Sequence, residues 1–365
     1  MKLKWHGGVL AVAAVASVAG CAQIDYYMQA AQGQMALISA ARPIDEWLER
    51  PEVEQDLKGR LAKVKEIRSF AAAELGLPDN ASYTTYADLD RPYVMWNVIA
   101  TPELSLEPKK WCFPIAGCVS YRGYYSREDA QSYAARLRSE GYDVAVTGVP
   151  AYSTLGWFND PVLSTFIRYP DAQLARLVFH ELAHQKVYVP GDSQFNESFA
   201  VTVEEYGVER WLAKHGDDAL RESYAAYRDR KQDFLDLLKT HRQSLERVYA
   251  SAASEEDKRR QKAAIFQALR DDYAVLKQKW GGYAGYDRWF AAPLSNARLS
   301  AIATYHDFVP GFRAILANEG SIEKFYAAAS RLAAQSKDDR DRQLAALGGQ
   351  PVLAARGKEP VPPSE

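Results

Sequence analysis

Cysteine is scarce in this chain, with three in 365 residues. So few thiols, none with a histidine beside it, cannot fill a tetrahedral metal shell, and thiolate metal chemistry is excluded. Charge of one sign is also lacking: 45 Lys and Arg stand against 47 Asp and Glu, a formal net charge of −2. Nucleic-acid binders carry a clustered basic face, so nucleic acid is excluded as a partner. Long hydrophobic runs are missing too. The one apolar run, residues 8–19, is too short to cross a bilayer core of about 30 Å as a lasting helix. There are no internal repeats. What is plentiful is apolar and aromatic content, 47% hydrophobic with 22 Tyr and 8 Trp. That suffices for a substantial core in about two or three domains, and the rings serve packing first and a ring-lined cleft second.

The short apolar run follows Lys2 and Lys4 and ends in Val18-Ala19-Gly20-Cys21, which resembles the bacterial lipobox. The resemblance implies that residues 1–20 are a signal peptide and that Cys21 is lipidated. Ala22 stands where Asp would retain the protein at the inner membrane. The implied location is therefore the outer membrane of a Gram-negative bacterium, facing the periplasm. An ordinary secretory signal that contains a cysteine is the alternative. In that oxidising compartment, Cys112 and Cys118, enclosing a short loop with Pro114 and Gly117, read as a disulfide.

Along the chain, apolar residues at steps of three and four predict helices over 24–41 and 53–75. β-Branched and aromatic residues predict strands over 93–100, 119–125 and 142–149, with a helix over 127–139. Residues 151–158 read either as a cleft-edge strand that pairs with a substrate backbone or as an ordinary core strand and turn. A mostly apolar helix begins at Asp171. Beyond Asp217, two stripes, Tyr224 to Val248 and Phe266 to Trp280, predict an antiparallel helical hairpin. Further helices are expected over 296–315, broken near Pro310, and over 322–334. The fold class is α+β and predominantly helical, with a small mixed sheet.

The apolar helix carries His180-Glu181-Leu182-Ala183-His184. Two histidines four apart lie on one helical face and can hold one ion, with Glu181 turned toward a water on that ion as general base. Twelve residues after His184 comes Asn196-Glu197-Ser198-Phe199-Ala200, with Glu204 beyond. This element resembles the Asn-Glu-Gly-Phe-Ala…Glu element of the aminopeptidase N (gluzincin) family. The combination, with Tyr152 to Phe158 upstream and the lipobox, resembles over most of the mature chain a family of zincin-like aminopeptidases among Gram-negative lipoproteins. The resemblance implies one Zn2+ held by His180, His184 and Glu197, with Glu204 close by or as an alternative ligand. It also implies a zincin-like catalytic core over 82–215, while the apolar spacing gives N-terminal helices over 21–81 and a helical region over 216–335, and the charged, then Pro-rich end reads as a disordered tail over 336–365. Two departures stand out. The spacer before Glu197 is shorter, and the Gly-x-Met-Glu-Asn element that holds a substrate amino group is missing. Zinc peptidases often stabilise the oxyanion with a Tyr or His from a later element, which points to Tyr305 or His306, with Tyr152 second. The expected activity is a zinc metallopeptidase, by resemblance an aminopeptidase, acting on a peptide substrate. The alternatives are a lipoprotein scaffold with a structural or degenerate metal site, whose helical hairpin binds a protein partner, and a metallohydrolase of a non-peptide amide.

Overall fold

Apolar residues at steps of three and four place a stack of helices at the centre of this protein, with short strands set against their flanks. The structure, a computed structural model, describes residues 24–113, 117–303 and 308–349. Helix α1 covers 24–40. It is followed by β1 (Arg42–Pro43), α2 (Ile44–Glu49), α3 (Gln55–Leu75), β2 (Thr85–Ala87) and β3 (Met95–Pro102). Then come β4 (Trp111–Phe113), β5 (Gly117–Val119), β6 (Arg122–Tyr124), α4 (Arg127–Ser139), β7 (Tyr142–Val149) and β8 (Val162–Leu163). The remainder is helical: α5 (Asp171–His184), α6 (Ser193–His215), α7 (Asp218–Ala250), α8 (Glu255–Lys279), α9 (Asp287–Ala291), α10 (Asn296–Ala303), α11 (Val309–Glu319), α12 (Ile322–Ala333) and α13 (Lys337–Leu347). The class is α+β, predominantly helical, with sheets of two or three strands.

The main core is helix on helix. Leu174, Val178 and Leu182 of α5, Phe195, Phe199 and Val203 of α6, and Leu61, Val64 and Ile67 of α3 are all buried in one cluster with α11 and α12. At Gly207 of α6 an added Cβ would lie 2.7 Å from Leu75 and 2.8 Å from Phe179. That glycine lets α6 come close to both α3 and α5. A sheet of order β6-β3-β7 stands to one side, antiparallel throughout. Alternation along β3 sends Val98 and Ala100 to Ala130 and Ala134 of α4, while Ile99 faces Ala297 of α10. A second small sheet, β1-β2-β8, packs Tyr86 and Val162 into the main core. The hairpin of α7 and α8 has its own core around Phe234, Leu238, Phe266 and Tyr273.

The structure departs from the expectations in three places. Residues 151–158 are an irregular loop without strand pairing, because Leu155 and Gly156 both take positive φ, at 58° and 81°, which breaks an extended run. The run 119–125 divides between two sheets. Val119 pairs with Trp111, while Arg122 pairs with Val98, and the chain turns between them at Ser120 and Tyr121. Residues 337–347, expected within a disordered tail, form α13. The charge run hides a Ser336 cap that accepts from Asp339 N, with Arg340 and Leu344 buried behind it. Cys112 and Cys118 face each other across β4 and β5 and are disulfide-bonded. Cys21 lies outside the described residues.

Phe199 is fully buried, stacked on Phe325 at 5.6 Å and edge-on to Phe312 at 5.9 Å. Phe199→Ala should destabilise the protein by about 3–5 kcal/mol in urea denaturation, against roughly 0.5 kcal/mol or less for the exposed Val275→Ala.

Candidate metal centre

Helix α5 starts where the Pro170 carbonyl accepts from Gln173 N at 2.8 Å and Leu174 N at 2.9 Å. Arg60 of α3 grips this start through an ion pair with Asp171 and a bond to the Ile167 carbonyl at 2.9 Å. One apolar face then fixes the helix rotation, so His180 and His184 emerge one turn apart with their Nε2 atoms 3.2 Å from each other. The chain turns back through residues 185–192 into α6. Asn196 closes that turn as a backbone mimic: its Oδ1 accepts from Val189 N at 2.7 Å and its Nδ2 donates to Val189 O at 2.8 Å. Asp192 caps α6 by accepting from Phe195 N, and it is itself held by Arg340 at 2.8 Å and Lys337 at 3.2 Å from α13.

With α6 fixed in this way, Glu197 reaches the histidines. One carboxylate oxygen lies 3.2 Å from His180 Nε2, the other 3.7 Å from His184 Nε2. Ligand atoms of His180, His184 and Glu197 all lie within 4.8 Å of one another, so the three could hold a metal ion. The donor chemistry fits such an ion: two imidazole nitrogens and a carboxylate oxygen converge, an arrangement that needs a cation or shared protons between them. The second nitrogen of His180, Nδ1, is 2.8 Å from Glu204 Oε2. A carboxylate in that place sets the tautomer and leaves Nε2 as the ligand atom.

Glu204 is 1% exposed. Burial pushes its carboxyl up, but Arg176, with Nη1 3.0 Å from both carboxylate oxygens, and Lys231 at 3.7 Å outweigh burial and hold it far below the usual range. The His180 imidazole is pulled down by burial and raised more strongly by its hydrogen bonds to Glu197 and Glu204, to about 10. His184 is lowered to about 4, mainly by burial, and so stays neutral, the form that ligates. Burial drives the Glu181 carboxyl up, and the carboxylates of Glu197, Asp160 and Glu204 add to it against the pull of His180, giving about 7. Glu181 is partly exposed beside the pair.

The structure thus brings His180, His184 and Glu197 together, with Glu181 adjacent and Glu204 behind His180. Tyr305 and His306 lie outside the described residues. The Tyr152 hydroxyl is engaged with Gln34 of α1 and with Tyr125. Several participants escape sequence reasoning. Arg176 precedes His180 by one helical turn and Lys231 stands within the apolar stripe of α7, and the sequence marks neither as a partner of Glu204. Tyr121 had no signal at all. It sits between two sheets, its phenol raised by burial and then by the Glu197 charge, with Glu181 also in electrostatic reach. Tyr188 is raised by burial and by the same carboxylate.

A family model described as "Putative aminopeptidase" matches residues 25–344. The chain belongs to that family. No curated protein and no solved structure matches it. Membership in this aminopeptidase family supports peptidase activity at the coarse level.

Asn196 is 2% exposed and both its bonds go to one backbone unit. Asn196→Ala should lower stability by about 2–3 kcal/mol, from two lost hydrogen bonds and two orphaned backbone groups, as read from the urea midpoint.

Proposed function

We propose that this protein is a zinc-dependent metallopeptidase, an aminopeptidase in the sense its family description suggests. The observation that carries the reading is the convergence of His180, His184 and Glu197 with Glu181 beside them, in a chain that belongs to that family. Two imidazoles and one carboxylate are a donor set suited to zinc, and three protein ligands leave a position open for chemistry. The chemistry that bound zinc supplies is Lewis-acid polarisation of a carbonyl and acidification of water.

The rest belongs to the chain. Glu181, raised to about 7, is deprotonated often enough at neutral pH to accept a proton at its carboxylate and basic enough to hold it for the departing amine. Glu204 keeps His180 oriented by accepting a hydrogen bond from its Nδ1–H. Tyr121, near Glu197 and Glu181, and Tyr305 are the phenols we assign to stabilising the charge that develops on the carbonyl oxygen. The zincin-like core would then span residues 82–215. We place the protein at the outer membrane, anchored by lipid at Cys21 with its site toward the periplasm. The basis is the lipobox-like Val18-Ala19-Gly20-Cys21.

Two substitutions separate binding from chemistry. Glu181→Gln should keep one zinc per chain by metal analysis while peptide hydrolysis falls about 10²–10⁴-fold; full activity in that variant would refute the base assignment. Glu204→Gln should weaken zinc affinity about 10–100-fold in competition with a chromophoric chelator, although Glu204 touches no reacting atom.

A further inference from the structure

The loop over residues 151–161 presents two large aromatic side chains to solvent. Trp157 is 68% exposed, the highest value for a large hydrophobic residue among those described, and Phe158 is 47% exposed. Exposed aromatics on a loose loop would be unremarkable, but this loop is pinned. Asp160, 4% exposed, accepts from Thr154 N at 2.9 Å and Thr154 Oγ1 at 2.7 Å. Trp157 N donates to Thr154 O at 3.1 Å, and Phe158 N to Thr154 Oγ1 at 3.1 Å. Leu155 holds a left-handed φ of 58°, a conformation an L side chain takes only when its surroundings impose it. The protein therefore holds Trp157 and Phe158 in water by construction, against the roughly 25 cal/mol per Å² that burying them would return.

The place of the loop says what it meets. A Cβ on Gly156 would lie 3.6 Å from Gln185 Oε1, and Gln185 caps α5 directly after His184. Gln185 is clamped in turn by Asn80 at 2.7 Å and Ser82 at 3.2 Å. Next to them Tyr83 N donates to the Asp160 carbonyl at 2.7 Å, and the charge of Asp160 reaches Glu181. Trp157 thus directly follows Gly156, which lies against the side chain of the residue that follows the candidate ligand His184. An extended peptide advances about 3.3–3.6 Å per residue, so a peptide running from the centre toward this loop would bring a side chain to it within a few positions.

We propose that Trp157 and Phe158 form the side-chain recognition rim of the site and that its substrate class is peptides carrying a large apolar or aromatic residue close to the scissile bond. The proposal rests on the peptidase reading, and its test can be scored without turnover. Zinc-loaded full-length Glu181→Gln protein is titrated calorimetrically with pentaalanine amide and with its five single-Phe versions. At least one Phe peptide should bind about tenfold more tightly than pentaalanine, and adding Trp157→Ser or Phe158→Ser should shrink that preference to within about twofold. Both substituted side chains are exposed, so an unchanged melting temperature verifies the fold. Equal affinity for all six peptides, or a Phe preference that survives both substitutions, overturns the rim. Binding to phosphatidylethanolamine–phosphatidylglycerol vesicles that depends on Trp157, without Phe preference, overturns it in favour of a membrane contact. Rim-dependent binding by a protein whose unsubstituted form hydrolyses none of these peptides leaves the rim standing and removes the peptidase reading.

Discussion

A single buried carboxylate, that of Glu204, constrains the arrangement of three helices. Removing an ionised carboxylate from water costs several kcal/mol unless charge and hydrogen bonds replace the lost hydration. Here the replacements come from Arg176 and His180 on α5 and from Lys231 on α7, while Glu204 itself belongs to α6. No two of these helices can slide without stranding a charge. The same contacts aim the free nitrogen of His180 at Glu197, so one electrostatic requirement sets both the helix packing and the orientation of the candidate metal ligands.

A second buried ion pair works from the other direction. Asp192 and Arg340, 3% and 5% exposed, join the cap of α6 to α13 at 2.8 Å. Glu197 lies between these two anchors, with Asp192 five residues before it and Glu204 seven residues after. Phe195 and Phe199 fill the core on the buried side of the same helix. The carboxylate that completes the donor set is thereby placed by a helix held at its start, along its face and two turns on, which is how a site gains sub-ångström definition from ordinary parts. The α7–α8 hairpin, with a separate core, contributes Lys231 to this arrangement and so is coupled to the centre it does not line.

Much of this is legible in the sequence. Local spacing located α4 and β7 at their observed bounds, because their apolar residues keep a clean period and Ser126 and Gly141 mark the ends. The His-Glu-x-x-His spacing and the Asn-Glu-Ser-Phe-Ala element picked out residues that converge in space, since both patterns encode one helical face. What failed to read was non-local. Arg176 and Lys231 look like ordinary solvated charges until Glu204 is buried between them. Residues 151–158 carry strand-forming side chains, yet Asp160 and two positive φ angles override that propensity. Arg340 sits in a charge run that resembles a disordered tail, and only its tertiary partner distinguishes it. Tyr121 owes its place to a chain crossing between two sheets, which no period in the sequence records.

The most direct test of the central claim is anomalous diffraction from crystals of the zinc-loaded protein, recorded on both sides of the zinc absorption edge. The expected result is one peak per chain within about 2.0–2.2 Å of His180 Nε2, His184 Nε2 and a Glu197 oxygen, with Glu204 outside the ligand shell. No peak at that position, a peak elsewhere, or a peak ligated by Glu204 in place of Glu197 would contradict it.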